Sequence, residues 1–191
     1  MSYKKFSTKG YEPFDIKFDG EGFYFKANAA DDRITGTKDD DHLSGGGGRD
    51  VLNGGAGKDL LSGGAGADLL RGGAGVDTFV FSSDLDVAGV DRITDFNSRI
   101  GEKIMLNAYV FEALEVGSKL PVDPGAKDRG TLASSNFCIG KSAKDADDHL
   151  VYDKATGALS YDADGNGAGA AIQFAQLKAG TALSADCFII F

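Results

Sequence analysis

Apolar side chains recur at every ninth position through the first half of the chain, between stretches of small and polar residues. A single apolar residue whose two neighbours point the other way is typical of a very short β-strand, in which only the middle side chain faces the core. The pattern therefore predicts a series of three-residue strands joined by tight turns. The apolar positions are Ile34, Leu43, Leu52, Leu61, Leu70 and Phe79.

Aspartate and glycine follow the same nine-residue period. An aspartate stands two positions before each apolar residue, and glycine pairs open the units at Gly45, Gly54, Gly63 and Gly72. The unit is G-G-x-G-x-D-x-U-x, with U apolar, and it is weaker in the first two copies. Glycine adopts left-handed dihedrals without steric cost, so each turn can be tight and direct its carbonyl oxygens inward. The aspartates are Asp32, Asp41, Asp50, Asp59, Asp68 and Asp77.

Six such copies in register resemble the calcium-binding nonapeptide repeat of RTX proteins. The resemblance implies an all-β fold with a right-handed parallel β-roll, followed by a β-rich C-terminal secretion domain. Two units would make one coil, so that units eighteen residues apart stack on the same side. Calcium accepts carboxylate and carbonyl oxygens alike, and it would lie between stacked turns. We expect about four to six calcium ions.

The resemblance also implies a ligand pattern. The earlier of two stacked turns supplies its aspartate and the carbonyls of its second and fourth residues, and the later turn supplies its aspartate and the carbonyls of its first and third residues. The implied aspartate pairs are Asp32 with Asp50, Asp50 with Asp68, Asp41 with Asp59 and Asp59 with Asp77. After Phe79 the unit degenerates to FSSDLDVAG, where Asp86 is a further candidate ligand. The other implied residues of the metal sites are Asn28, Ala30, Thr37, Asp39, Gly45, Gly46, Gly47, Gly48, Gly54, Gly55, Ala56, Gly57, Gly63, Gly64, Ala65, Gly66, Gly72, Gly73, Ala74 and Gly75.

Three other interpretations of this region account for the pattern less well. A flexible linker has no reason to keep an aspartate and an aliphatic residue in register. A phosphate loop needs Gly-Lys followed by Ser or Thr, whereas Lys58 is followed by Asp59. Aspartates that were merely solvated would not stay in a fixed phase with glycine. A metal-binding turn explains all three features together.

Composition narrows the class of protein. The chain of 191 residues has a formal net charge of −9, and 24 of its 29 acidic residues are aspartate. Such an excess of the short carboxylate is typical of turns and hard-cation sites. Nucleic acid is an unfavourable partner for so acidic a chain. No stretch is long and apolar enough for a transmembrane helix or a conventional signal peptide, so we expect a soluble protein that leaves the cell by another route.

The repeat region buries too little apolar surface to fold alone. Each unit contributes one aliphatic side chain to the core but orders nine residues, several of them glycine, and its stacked carboxylates repel. Calcium would offset both costs, so that its binding free energy becomes folding free energy. The sequence therefore predicts a segment that is unfolded where calcium is scarce and ordered where calcium is plentiful.

The flanking segments complete three predicted domains. Residues 1–26 alternate apolar and polar positions and are expected to form a hairpin that caps the roll of residues 27–98. Residues 99–191 resemble the serralysin-type C-terminal domain, with a hairpin within residues 149–174. The chain ends in LSADCFIIF, an acidic residue followed by apolar ones, which resembles the uncleaved signal of type I (ABC transporter) export.

Other candidate sites are weaker. The segment from Asp162 to Gly167, DADGNG, imitates the start of an EF-hand loop, but position twelve is Gln173 and strands are expected on both sides, so a polar hairpin turn is favoured. The two histidines do not form a zinc-protease motif. Cys138 and Cys187 lie in apolar runs and are expected to be buried free thiols, with a disulfide as the alternative.

The resulting prediction is a secreted, extracellular, non-enzymatic calcium-binding RTX protein. Two alternatives stay open: an export and folding module of a larger secreted protease or glycanase, and a calcium-dependent adhesin that binds acidic polysaccharide. A further expectation concerns the outside of the roll, where Val51 and Leu69 would share one apolar face. We expect the C-terminal domain or a second copy of the chain to cover that face.

Overall fold

The structure is a computed structural model that describes residues 4–7, 15–17, 22–119 and 130–191. Within these residues the chain forms two sheets of nine strands each. The first sheet has the order β1 (Lys4–Ser7), β3 (Phe23–Lys26), β5 (His42–Gly47), β7 (Leu60–Ala65), β9 (Thr78–Phe81), β11 (Lys103–Leu106), β18 (Phe188–Ile190), β13 (Gly130–Leu132) and β12 (Val116–Lys119). The second has the order β14 (Phe137–Ile139), β15 (Leu150–Asp153), β16 (Ala158–Tyr161), β17 (Ile172–Gln176), β10 (Asp91–Ile93), β8 (Leu69–Gly75), β6 (Val51–Gly57), β4 (Arg33–Thr35) and β2 (Asp15–Lys17).

Successive strands of the repeat region alternate between the two sheets. Each strand pairs in parallel with the strand two places along the chain, as where Leu43 of β5 lies beside Leu61 of β7. The same register places Leu52 of β6 beside Leu70 of β8. One coil therefore spans eighteen residues, and the predicted all-β parallel roll is confirmed.

The apolar residues of the repeat stack into two rows that face each other across the core. All six are at most 2% exposed. The rows continue past the repeats, because Ile93 stacks beside Leu70 and Ile104 beside Phe79. This continuous core holds the turns at both edges of the roll in fixed register.

The predicted N-terminal capping hairpin is wrong. β1 pairs in parallel with β3 in the first sheet, and β2 pairs in parallel with β4 in the second sheet. These strands therefore add coils to the roll in place of folding back on each other. Alternation of apolar and polar residues predicts strands correctly but does not fix their partners, and the open end of the roll offers a parallel neighbour to each.

The C-terminal strands extend the two sheets. β17 pairs with β10, and β18 pairs with β11, so strands from all three predicted segments share the same sheets. The hairpin predicted within residues 149–174 is confirmed, because β15, β16 and β17 pair antiparallel in succession. The strands lie beside the roll and do not cover its outer face, where Leu69 is 38% exposed and Val51 is partly exposed, so the expected cover by the C-terminal segment is wrong. Cover by a second copy of the chain, the other expectation, stays a prediction.

Helical structure is short in the part of the chain that the structure describes. It consists of α1 (Leu85–Ala88) and the 3-10 turns Ser98–Ile100, Ser134–Asn136 and Ala185–Cys187. No helix among the described residues has the length and apolar character needed to cross a membrane. Cys138 and Cys187 are buried free thiols, as predicted.

Candidate metal centre

Two columns of carboxylates run along the edges of the roll, one at each set of turns. We call them the first column (Asp32, Asp50, Asp68 and Asp91) and the second column (Asp41, Asp59, Asp77 and Glu102). All eight residues are at most 3% exposed. Burial of so many acidic groups is costly unless each charge is neutralised or bound.

One oxygen of each aspartate binds the turn before it. The Asp50 amide donates to Asp68 Oδ1 at 2.7 Å, and the Asp59 amide donates to Asp77 Oδ1 at 3.0 Å. The same contact joins Asp32 to Asp50 at 2.7 Å and Asp41 to Asp59 at 2.8 Å. The structure thus brings together all four aspartate pairs that the sequence predicts.

The other oxygen is buried and has no hydrogen-bond partner in Asp50, Asp59, Asp68 and Asp77. In Asp50 this Oδ2 lies against the α-carbon of Gly45, where a side chain at residue 45 would meet both Oδ2 and the carbonyl oxygen of Gly63. Gly54 has the same relation to Asp59 and to the carbonyl of Gly72. An unpaired carboxylate oxygen next to a carbonyl oxygen is an arrangement that a hard cation stabilises.

Glycine has left-handed dihedrals at the second and fourth positions of the four full repeats, which begin at Gly45, Gly54, Gly63 and Gly72. Gly46 and Gly48 have φ of +100° and +107°, and Gly64 and Gly66 have φ of +107° and +119°. A side chain at Gly64 would meet the carbonyl oxygen of Gly46, eighteen residues earlier, and one at Gly66 would meet that of Gly48. These are the carbonyls that the ligand pattern assigns to the earlier turn, and the glycines above leave room beside them.

The weaker first copies use side chains where later copies use glycine. In the turn before Asp41, the amide and hydroxyl of Thr37 both donate to Asp41 Oδ2, at 2.6 and 3.0 Å. The amide of Ala30 donates to Asn28 Oδ1 at 2.6 Å. The carbonyls of Asn28 and Thr37 still lie under Gly46 and Gly55, as the pattern requires.

The family model of the RTX calcium-binding nonapeptide repeat (four copies) matches residues 27–61 and again residues 54–88. These limits include the six aspartates of the repeats, whereas Asp91 and Glu102 of the columns lie beyond them. Residues 27–88 are RTX calcium-binding nonapeptide repeats. No curated protein matches the chain.

Two solved structures are similar to this chain over most of its length. Both are modules of a mannuronan C5-epimerase from Azotobacter vinelandii. The AlgE6R3 subunit is 28% identical, with 84% of this chain and 78% of that chain covered and a TM-score of 0.48. The AlgE6R2 subunit is 29% identical, with 84% of this chain and 88% of that chain covered and a TM-score of 0.47.

The predicted ligand Asp86 does not join the RTX columns. It is exposed on α1, and the Asp68 amide donates instead to Asp91 Oδ1 at 2.9 Å. The physical reason lies at Phe81, which stands where earlier turns have their first glycine and is buried in the core. Its ring excludes the tight turn, so the chain makes a longer excursion through α1 before the next carboxylate enters the column.

Two acidic residues beyond the repeats, Asp91 and Glu102, belong to the columns, and a third, Asp95, lies beside the turn at Gly72; the nine-residue period predicts none of the three. Asp91 and Glu102 stack after Asp68 and Asp77 at spacings of 23 and 25 residues, as shown by the bonds of the next residues, Arg92 and Lys103, to the carbonyls of Asp68 and Asp77. Asp95 accepts from the amides of Gly72 and Gly73, each at 3.0 Å. The sequence D-R-I-T-D from Asp91 to Asp95 repeats the D-x-U pattern of the earlier units, and this signal could have identified Asp91.

Electrostatics across the columns oppose ionisation. Burial raises the pKa of Asp50 and of Asp59 to about 7, helped by the neighbouring carboxylates of the same column. Burial likewise raises the pKa of Glu102 to about 7 and of Asp91 to about 8. Within the described residues, no three side chains of His, Cys, Asp and Glu group into a metal site. Cations held here therefore need backbone carbonyls as well, and the stacked turns supply them.

Proposed function

We propose that this protein is a secreted, non-enzymatic calcium-binding protein whose roll folds when calcium fills the spaces between stacked turns. The observation that carries the proposal is the row of buried Oδ2 atoms without hydrogen-bond partners at Asp50, Asp59, Asp68 and Asp77. Each lies beside the first glycine of its own turn, and those of Asp50 and Asp59 also lie near the carbonyl oxygen of the next stacked turn. Calcium is the common extracellular cation that prefers such oxygen ligands.

Lysine and arginine side chains do not neutralise the buried carboxylates of the columns. Two ion pairs are formed between described residues, Lys38 with Asp39 at 3.7 Å and Arg71 with Asp95 at 3.6 Å. Neither reaches Asp50, Asp59 or Asp68. Since buried carboxylates without a counter-charge destabilise a fold by several kcal/mol each, a bound divalent cation between successive turns is the simplest compensation.

The ligand sets that follow are the sequence-derived ones with one replacement. Asp50 and Asp68 would share one ion with the carbonyls of Gly46, Gly48, Gly63 and Ala65, and the other three pairs would do the same with their own turns. Asp91 takes the place proposed for Asp86. Each column of four carboxylates has three intervals, so the two columns offer six positions, within the proposed range of four to six ions.

Coupling between calcium and folding suits export as an unfolded chain. Metal ligands that come together only in the folded state make binding free energy part of folding free energy. We propose that the chain crosses the cell envelope through a type I ABC transporter at low cytosolic calcium and folds outside. The acidic and apolar C-terminal residues Asp186 to Phe191 are the proposed signal.

The test is a calcium titration of chelated full-length protein, followed by circular dichroism and a count of bound ions. We expect a cooperative gain of β-structure with four to six ions bound. Asp59→Ala should raise the calcium midpoint more than Asp32→Ala, because Asp59 is hydrogen-bonded to both Asp41 and Asp77. A chelated protein with the spectrum of the calcium-bound form would refute the coupling.

A second candidate function rests on an open cavity of about 390 Å³ on the outer face of the first sheet. Its lining includes the polar residues Ser44, Ser62, Ser82 and Asn107 beside the half-exposed ring of Tyr24. Hydroxyl and amide groups next to an aromatic face suit an extracellular polysaccharide. Pull-down on acidic polysaccharide with and without chelator tests this role, and Tyr24→Ala should weaken calcium-dependent capture if the cavity is responsible.

A further inference from the structure

The loop between β16 and β17 contains a buried carboxylate that the roll does not use. Asp162 is 6% exposed, and its Oδ1 has no hydrogen-bond partner. The main chain of Asp162 is fixed by His149, whose carbonyl accepts from the Asp162 amide at 2.8 Å and whose Nδ1 donates to the Asp162 carbonyl at 2.8 Å. The carboxylate is thus held in place without a partner for one of its oxygens.

Asp162 faces a second carboxylate. Its side chain lies within hydrogen-bonding reach of the side chain of Asp164. The loop wraps around Asp164: the Gly169 amide donates to its Oδ2 at 3.0 Å, and a side chain at Gly167 would meet the same oxygen. Two adjacent carboxylates, one of them almost fully buried, repel unless a proton or a cation lies between them.

The loop also presents neutral oxygen ligands. The Asn166 amide nitrogens donate to the adjoining loop, with the backbone N–H bonded to the Asp145 carbonyl at 3.0 Å and Nδ2 to the Lys144 carbonyl at 3.3 Å. That orientation leaves Asn166 Oδ1 free to act as an acceptor. Asp162, Asp164 and Asn166 are thus three alternate residues of one loop, each with a side-chain oxygen. Carboxylates at positions one and three with an amide oxygen at position five are ligands of the kind that calcium takes from a short loop.

We propose that Asp162, Asp164 and Asn166 form a calcium site that is separate from the two columns of the roll. Gln173, at position twelve, is not among the proposed ligands: it lies on β17, and its Nε2 donates to two groups of the same strand, the Ala175 carbonyl at 3.3 Å and Gln176 Oε1 at 3.1 Å. Backbone carbonyls and water complete the shell. With few protein ligands, the site belongs to the class with Kd of about 10⁻⁴ to 10⁻³ M, which extracellular calcium fills.

The experiment is a calcium titration of the full chain by amide NMR, together with ion counting by native mass spectrometry. The amides of Gly165, Gly167 and Gly169 should shift at calcium concentrations on the order of 10⁻⁴ to 10⁻³ M. Asp162→Asn should abolish those shifts and bind one ion fewer. Asp153→Asn is the matched control, because Asp153 also caps a hairpin turn, accepting from the Ala155 amide at 3.0 Å, and it should behave as wild type.

The outcomes distinguish a calcium site from a proton shared between Asp162 and Asp164, and they also distinguish failure of this site from failure of the roll to bind calcium. An unchanged ion count in Asp162→Asn, or loop amides of the wild type that do not respond to calcium, overturns the proposal. If Asp162→Asn does not fold, the exposed Asp164→Asn and the wild-type titration decide the question in the same way. If the roll fails to bind calcium, the shifts of the amides of Gly165, Gly167 and Gly169 still test the loop site independently.

Discussion

At the residue scale, the turns separate two reasons for glycine. Gly46 is held at φ +100° above the Asn28 carbonyl, whereas Gly47 lies outside the left-handed region, and a methyl group added there would be in ordinary van der Waals contact, 3.6 Å from the nearest atom of Ala29. Alanine occupies the position of Gly47 in the next three turns, at Ala56, Ala65 and Ala74. The full repeats therefore require glycine at the second position and tolerate a methyl group at the third.

Gly46→Ala should lower the free energy of unfolding in saturating calcium by at least about 1–2 kcal/mol, the cost of a left-handed non-glycine residue. Contact with the Asn28 carbonyl adds to this cost and displaces a proposed ligand. Gly47→Ala is the matched control and should be within about 0.5 kcal/mol of wild type. Urea unfolding of both variants in calcium measures the difference, and equal stabilities would contradict the assigned roles of the two positions.

The buried aspartates also predict how calcium binding depends on pH. Asp50 and Asp59 have pKa values raised by burial to about 7, and Asp91 to about 8. A metal-free folded roll would hold protons that the unfolded chain has released, so these groups stabilise it at low pH and their contribution is lost as pH rises through 7–8. The unfolded metal-free chain holds none of these protons above about pH 6, so calcium-driven folding of that chain releases none.

The calcium concentration at the folding midpoint should consequently change little as pH is raised from 6 to 8. Titrations followed by circular dichroism at matched ionic strength give the midpoints, and a pH-stat measures any protons released on binding. A midpoint that falls as pH rises, with proton release, would show that a folded and protonated metal-free roll is populated, and would contradict the proposed coupling.

At the scale of elements, the turn between β9 and β10 shows where the nine-residue period stops determining the structure. Phe81 replaces the first glycine, and α1 lengthens the turn so that Asp91 follows Asp68 in the first column.

Asp91→Asn should raise the calcium midpoint for folding, because it removes a buried carboxylate from the last interval of the first column. Asp86→Asn is the control on the same excursion and should leave the midpoint unchanged. Equal effects of the two substitutions would argue against this assignment.

Period and alternation predicted most of the columns and the core but not every strand partner. Wherever glycine, aspartate and an aliphatic residue recur together, as from Gly45 to Asp77, the register follows from the sequence. Asp95 and Glu102 were not predicted, because their spacing from the earlier carboxylates depends on the length of a loop rather than on a repeat. The strand Phe23–Lys26 was recognised, but its parallel partners are set by the stacking of distant coils, which local alternation does not encode.

At the scale of the whole molecule, the roll and the C-terminal strands share one core. Phe174 packs edge to face against both Phe81 and Phe111, with ring centroids 5.0 Å apart in each pair, and the ring of Tyr161 lies 5.3 Å from that of Phe111. The Tyr161 hydroxyl accepts from the Ala113 amide at 2.9 Å. This aromatic cluster closes the end of the roll where the repeats stop, so the last coils are supported by packing as well as by metal.

The C-terminal strand β18 has a structural role beside its proposed role in export. It lies between β11 and β13, and Phe188 is fully buried in the row that contains Ile104. Phe188→Ala should therefore lower the free energy of unfolding in calcium by about 3–5 kcal/mol, the usual cost of removing a buried phenylalanine ring. Ile189→Ala, on the half-buried opposite face of the same strand, is the control and should cost clearly less.

Deleting residues 186–191 should thus reduce both secretion and stability, and point variants measured in parallel by urea unfolding and by secretion tell the two apart. If Phe188→Ala is as stable as Ile189→Ala, β18 does not anchor the first sheet and the C-terminal residues act in export alone.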